Sequence, residues 1–150
     1  MTYELRELAS PADWEAMHRI RLEVLFTEER HPGLVYDRAH PHDTEPTHSK
    51  FILINDGVPI GTARLDPRGE GGIVRLVAIV AQLQRQGHGS VLEALLIDFA
   101  RARGMKRLWL NAARDAVGFY QKLGWTAEVW DEEELATFAR NCVQMTRPIG

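Results

Sequence analysis

Apolar positions recur along this chain at two spacings, every second residue or every third to fourth, and the switches between them mark out its elements. Tyr3 to Leu8 alternates apolar with polar and predicts a strand. Ser10-Pro11-Ala12-Asp13 predicts a helix start, with a capping serine, proline in the first turn and an acid three residues after the cap. Trp14, Met17, Arg21 and Val24 then follow one helical face. Between residues 30 and 49 the periodicity fails. That stretch holds four of the six histidines and three of the seven prolines, and reads as loop or broken helix. Phe51 to Asn55 and Val58 to Leu65 flank Asp56-Gly57, a strong hairpin signal. A third strand is predicted to begin near Ile73, after Pro67-Arg68-Gly69-Glu70-Gly71-Gly72.

The second half repeats strand and helix. Leu76 to Val80 is short, apolar and rich in β-branched residues, as a buried strand is. From Ser90, the positions Val91, Leu92, Leu95, Leu96 and Phe99 recur at helical spacing, and Gly104 stops the run. Leu108-Trp109-Leu110-Asn111 predicts another buried strand. Asp115 opens a short helix carrying Ala116, Phe119, Tyr120 and Leu123, with Gly124 where a helix C-terminal glycine belongs. The order is β-α-(α)-β-β-β-α-β-α-β-β, an α/β chain with an antiparallel centre and parallel additions.

Bulk properties set limits. At 150 residues and 45% hydrophobic, the chain suits one domain over residues 1–150. A net charge of −3 argues against nucleic acid as a partner. The first residues alternate and are charged, unlike a signal peptide, and no apolar run approaches the length of a membrane span. Cys142 is the only cysteine, which excludes an intrachain disulfide and fits a reducing cytoplasm. The chain shows no internal repeat, no low-complexity tract and no linker.

The densest chemistry lies in Gln84-Arg85-Gln86-Gly87-His88-Gly89, between the strand at 76–80 and the following helix. A helix N-terminus carries unpartnered N–H groups and the positive end of the dipole, so it suits a phosphate or pyrophosphate. Glycine at 87 and 89 permits close approach of the anion to those amides. A dinucleotide fingerprint would need a third glycine where Leu92 stands. A Walker-type loop would need a lysine after the glycines, and none follows. Taken alone, the six residues also describe an ordinary tight turn.

The pattern that remains is Gln/Arg-x-x-Gly-x-Gly/Ala after a strand, and here the chain resembles the GNAT family of N-acetyltransferases. Gly118-Phe119-Tyr120-Gln121-Lys122-Leu123-Gly124-Trp125 is similar to the family's FYxKLGF segment, at the expected distance downstream and with Asn111-Ala112 before it. Ile60-Gly61-Thr62-Ala63-Arg64-Leu65 resembles its piGtaRl strand, and Ile20 to Phe26 its vRxeVF helix. Cys142-Val143-Gln144-Met145 stands where the family has a terminal HxxM strand, with cysteine replacing the histidine. The resemblance covers nearly the whole chain and is closest to small, stand-alone members of unassigned substrate.

The resemblance implies a GNAT acyl-CoA N-acyltransferase fold with a mixed sheet, and direct acetyl transfer from acetyl-CoA to a primary amine without a metal. It implies that the backbone of Val77, Ala78 and Ile79 pairs with the pantetheine amides. Arg85, Gln86, Gly87, His88, Gly89 and Ser90 would take the pyrophosphate, mainly through backbone N–H groups. His88 replaces the small or aliphatic residue usual there and is expected to face solvent, without a catalytic role. Tyr120 is implied as the general acid to the departing CoA sulfur. A tyrosine with a free pKa of about 10 is protonated at neutral pH, and an alkyl thiol of pKa about 8.5 leaves with modest help. Phe119 is the better candidate for a plain core aromatic. Asn111 is implied as a hydrogen-bonding partner of pantetheine or substrate, or as a strand-end turn residue. Relatives of this kind are commonly homodimers.

The base is not chosen by the sequence. An alkylammonium of pKa about 10.4 costs roughly 4.6 kcal/mol to deprotonate at pH 7. Glu28, Glu29, Asp37, Asp43 and His48 fall in the segment that forms the acceptor side by resemblance. His40, His42 and His48 read as a solvated loop before a metal site. Cys142 reads as a small core residue, and Glu132-Glu133-Glu134 as a solvated helix start. Two other readings stay open: a non-catalytic acyl-CoA binding or sensing module, and a different anion-binding α/β protein that would prefer ATP or NAD.

Overall fold

A computed structural model of the chain describes residues 2–150. They divide into two compact units, residues up to Asp66 with Leu76–Leu96, and Pro67–Arg75 with Ile97–Gly150.

The first unit begins with strand β1 (Tyr3–Glu7), helix α1 (Pro11–Val24), a short helix α2 (Pro41–Thr44) and strand β2 (Ser49–Asn55). Strand β3 (Val58–Arg68) and the last residues of β4 (Gly71–Ile79) complete its sheet, in the order β1-β2-β3-β4. β1 runs antiparallel to β2 with Tyr3 opposite Asn55, and β2 antiparallel to β3. Asp56 and Gly57 take φ of 51° and 83°, so the two-residue turn is of the doubly left-handed kind that matches strand twist. α1 starts in a complete capping box. The Ser10 hydroxyl accepts from the Asp13 N–H, and the Asp13 carboxylate accepts from the Ala9 and Ser10 N–H groups. Its inward face carries Met17 and Ile20, both fully buried, and Met17 packs on Ile52 and Ile54.

The second unit contains the start of β4, strands β5 (Arg107–Ala113), β6 (Thr126–Ala127) and β7 (Cys142–Pro148), and helices α4 (Val117–Lys122) and α5 (Glu132–Ala136). Its order is β4-β5-β7-β6. β4 pairs parallel with β5 through Gly72 opposite Leu108, while β7 runs antiparallel to both β5 and β6. The seven strands thus form a mixed sheet, the architecture predicted. Its core is built on Leu108, Leu110, Ala112 and Met145, each at most 3% exposed.

Several boundaries differ from prediction. The glycine-rich segment 67–72 is mostly strand, because Gly69 (φ 54°) turns the chain within two residues and β4 begins at Gly71. Gly71 has a steric reason as well, since a Cβ there would collide with the Arg107 carbonyl oxygen. Helix α3 (His88–Ala102) starts two residues ahead of Ser90. Its first turn lacks the apolar spacing that the core imposes further along. α5 adds a helix between the last two strands. Phe119 is 39% exposed and belongs to no core, whereas Tyr120 beside it is half-buried.

Candidate active site

The polar loop after β4 is assembled within the first unit. Leu76 takes φ of 54°, a conformation uncommon for a side chain of its kind, and so bends β4 just ahead of Val77, Ala78 and Ile79. β3 lies close against these residues, for a Cβ on Gly61 would come within 2.9 Å of the Ala78 carbonyl oxygen. A 3-10 turn over Ala81–Leu83 leads into the loop. There Gln84 Nε2 donates to the Ile79 carbonyl at 2.9 Å, and Gln86 Nε2 to the Gln82 carbonyl at 3.1 Å. Arg85 and Gly87 are both left-handed, with φ of 63° and 91°. No atom lies within 4 Å of the point a Cβ on Gly87 would occupy, so this glycine is required by conformation, and the space above it is open.

The first backbone bond of α3 runs from the Val91 N–H to the Gly87 carbonyl, 3.3 Å. The N–H groups of His88, Gly89 and Ser90 precede it, so they have no acceptor inside the helix and sit at its positive end. Arg85, Gln86, Gly87 and Ser90 are exposed. His88 is not. Its side chain is 6% exposed, and its Nδ1 lies 2.8 Å from the Tyr3 hydroxyl, which corrects the expectation that it faces solvent. As the opening residue of α3 it turns its ring inward toward β1.

A second cluster of the first unit buries four charges. Asp43 on α2 accepts from Arg21 at 2.7 and 3.0 Å and from Arg64 at 3.1 Å. Arg64 also grips Asp66 at 2.8 and 3.0 Å. The side chains of Arg21, Asp43 and Arg64 are 1%, 2% and 5% exposed. Burial opposes ionisation of Asp43, but the two guanidinium groups outweigh it and hold its carboxyl below the usual range. Burial likewise opposes the charge on Arg21, and its bonds to Asp43 and Tyr36 prevail and push it up. Asp43 is therefore held as a buried anion by its two arginines.

Tyr36 and His48 border that cluster. Arg21 donates to the Tyr36 hydroxyl at 3.3 Å, so the hydroxyl hydrogen is left for His18 Nδ1, 2.7 Å away. Burial first, and Arg21 second, hold His18 below its ordinary value. His48 Nδ1 lies 2.7 Å from the His42 carbonyl and 3.3 Å from Asp66, so this nitrogen carries a hydrogen. Glu28 accepts from the Gly33 N–H and Asp37 from the Ala39 N–H, and these two side chains with Glu29 are exposed. The rings of His40, His42 and His48 meet in sequence, tilted and then edge-on, 4.8 and 5.8 Å between centroids. Among the described residues no group of three or more His, Cys, Asp or Glu side chains is arranged to hold a metal ion.

In the second unit Asn111 is fixed at both ends of its amide. Nδ2 donates to Glu134 at 3.0 Å, and Oδ1 accepts from Gln144 at 3.0 Å. It stands within β5 and is no turn residue. Glu134 forms a two-pronged pair with Arg75, both bonds 2.9 Å, and its side chain is 13% exposed. This corrects the reading of the acidic triplet as solvated. Glu132 and Glu133 are exposed, while Glu134 is drawn inward by a guanidinium 59 residues away. Tyr120 on α4 meets Phe119 and Trp125 edge-on, at 5.1 and 5.7 Å. Cys142 opens β7 half-buried, and burial pushes its thiol up, so it is a poor nucleophile.

Sequence reading missed Tyr3, Arg21, Arg64, Asp66, Tyr36, His18, Arg75, Gln144 and the role of Glu134. Arg64 carried a signal in its motif, since an arginine in an otherwise apolar strand needs a buried partner. Asp66 lies two residues from Arg64 on the same strand face, and the others stand too far apart along the chain for spacing to join them.

The profile of the acetyltransferase (GNAT) family matches residues 14–125, and the chain belongs to that family. It is an acyltransferase. A candidate acetyltransferase of Bacillus subtilis strain 168 is 28% identical over 122 residues, covering 81% of this chain and 82% of that one. Among solved structures, a candidate N-acetyltransferase from Lactobacillus plantarum superposes with a TM-score of 0.78 at 22% identity, over the full length of both. N-acetylglutamate synthase from Neisseria gonorrhoeae, complexed with coenzyme A and N-acetylglutamate, gives 0.76 at 24% identity, over all of this chain and 36% of that one. Among the described residues no helix is long and apolar enough to cross a membrane.

Proposed function

We propose that the chain is a single-domain N-acetyltransferase that moves an acetyl group from acetyl-CoA directly to a primary amine. The loop at 84–90 carries this reading. Two left-handed residues, Arg85 and Gly87, present three consecutive helix-opening amides beneath open space, in a segment whose sequence fits the family's pyrophosphate loop. The amides of His88, Gly89 and Ser90 hold the pyrophosphate, with Arg85 and Gln86 at its margin. Val77, Ala78 and Ile79 offer their backbone to the pantetheine arm as an added strand would. Gln84 already occupies one lone pair of the Ile79 carbonyl, which leaves one for the cofactor.

The amine attacks the thioester carbonyl, a C–N bond forms, and the C–S bond breaks. Tyr120 gives its proton to the leaving thiolate. His48 accepts the proton of the amine through Nε2, directly or by way of water. Its Nδ1 faces the His42 carbonyl and the Asp66 carboxylate, which fix the ring. Asn111, locked by Glu134 and Gln144, is a fixed dipole that keeps one N–H and one lone pair for pantetheine or substrate.

Calorimetry with CoA and acetyl-CoA, against ATP and NAD, tests the reading. Micromolar CoA binding that a Gly89→Glu variant abolishes is expected. Folded protein that ignores CoA would sink it. Thiol release from acetyl-CoA across a panel of amines separates an enzyme from a silent acyl-CoA binder.

A further inference from the structure

We infer that His88 is a positioning residue of the cofactor loop, braced by Tyr3, and that this brace sets how well the loop holds a pyrophosphate. The inference rests on the acetyl-CoA reading and adds a residue to it.

From Gln84 to Ser90 the side chains are exposed apart from His88, which is buried, and the half-buried Gly89 has none to anchor. The loop's other two side-chain bonds are local, reaching back four or five residues to the carbonyls of Gln82 and Ile79. The bond between His88 Nδ1 and the Tyr3 hydroxyl joins residues 85 apart and ties the loop to β1. The two rings also meet at 5.8 Å between centroids, inclined by 59°, so the contact is a hydrogen bond with packing behind it. Tyr3 itself is held in the sheet, opposite Asn55 on β2.

Geometry connects this brace to the anion. The Cα–Cβ direction of a residue and the plane of its peptide turn together. With the His88 ring fixed inward, the N–H groups of His88, Gly89 and Ser90 are held outward as a set. A loop with two left-handed residues has other conformations open to it, and each would scatter those amides. Ordering them before the ligand arrives removes part of the entropic cost of binding. An aliphatic residue at 88 would bury as well, but it would leave the Tyr3 hydroxyl without this partner and the ring direction unspecified.

Tyr3→Phe deletes the hydroxyl and keeps the ring. We expect it to weaken CoA binding about three- to tenfold, the factor one ordinary hydrogen bond is worth. Binding of 3′-phospho-ADP, which carries the pyrophosphate and lacks the pantetheine arm, should weaken by the same factor. Binding of pantetheine, which lacks the pyrophosphate, should not change. His88→Asn presents an amide near the place of Nδ1 and should keep wild-type CoA affinity, whereas His88→Leu should match Tyr3→Phe. A general loosening of the fold would move the pantetheine arm too, and that result overturns the inference. So does a folded Tyr3→Phe protein that binds CoA as tightly as wild type, or an Asn variant no better than Leu. Absence of CoA binding in the wild-type protein would instead overturn the cofactor reading beneath it.

Discussion

Asp43 illustrates how much can hang on one carboxylate. It receives three charge-assisted hydrogen bonds from two arginines, and almost none of it meets water. Asp43→Ala leaves Arg21 and Arg64 buried and short of a counter-charge, and Arg21 Nε already has no partner. A loss of about 3–5 kcal/mol is expected in urea denaturation, the usual cost of breaking a buried pair from one side. Tyr120 and His48 are the two residues proposed for the chemistry. Tyr120→Phe keeps the aromatic contacts with Phe119 and Trp125 and removes the proton. It should lower kcat about a hundredfold with KM for acetyl-CoA unchanged, the low end for a general acid because thiolate leaves readily. His48→Gln should lower kcat about a hundredfold with KM for acetyl-CoA unchanged, and an unaltered kcat would remove His48 from the mechanism.

At the scale of elements, the join between β4 and α3 decides whether there is an anion site. Its left-handed residues make the chain reverse without lengthening, and the helix then begins with free amides. Gly87→Ala places a Cβ in open space, so its penalty is conformational and should be about 1–2 kcal/mol in thermal melts. Gly104→Ala, at φ of 78° and also with open space, should cost about as much. Only the first is expected to weaken CoA binding. Equal effects on binding would mean that stability, and not the loop, is being measured. α5 shows the opposite dependence. It is five residues long, too short to persist alone, and is held by the Asp131 cap and by Glu134 reaching Arg75 and Asn111.

At the scale of the molecule, buried imidazole makes the fold sensitive to acid. His18 is held below its ordinary value of 6.5, by burial first and by Arg21 second. His42, an exposed residue, is lowered too, by partial desolvation and then by Arg64 and its histidine neighbours, and weighs less in the balance. A depressed folded value means that the unfolded chain takes up the proton more readily. Stability is therefore full above 6.5, declines as pH falls through that value, and levels off below the folded values. Asp43 adds a second loss of the same sign, once pH drops below 3.8 toward its own lowered value. Denaturation midpoints measured from pH 8 to pH 4 should fall, and His18→Phe should shallow the slope between pH 6.5 and 5. A slope that is unchanged would assign the sensitivity elsewhere.

The sequence by itself determined the elements, their order and the glycine turn that opens α3. These are written in short-range physics: the alternation of Tyr3 to Leu8, the capping box from Ser10 to Asp13, the Asp56-Gly57 turn, and two glycines ahead of a helix. Each acts within a few residues, so each is legible in a line of letters. The fold alone decided which polar groups are locked into buried partnerships and which are left at the surface. His88 looked like a solvent-facing loop residue until Tyr3 was brought against it. Asp43 looked equal to Glu28 and Asp37 until two arginines closed around it. Glu134 was indistinguishable from Glu132 and Glu133 until Arg75 drew it in. The partners stand 85, 22 and 59 residues apart, and no spacing rule joins them. The charge and direction of a buried side chain are set by whatever the sheet register carries to it. That register is a property of the folded chain.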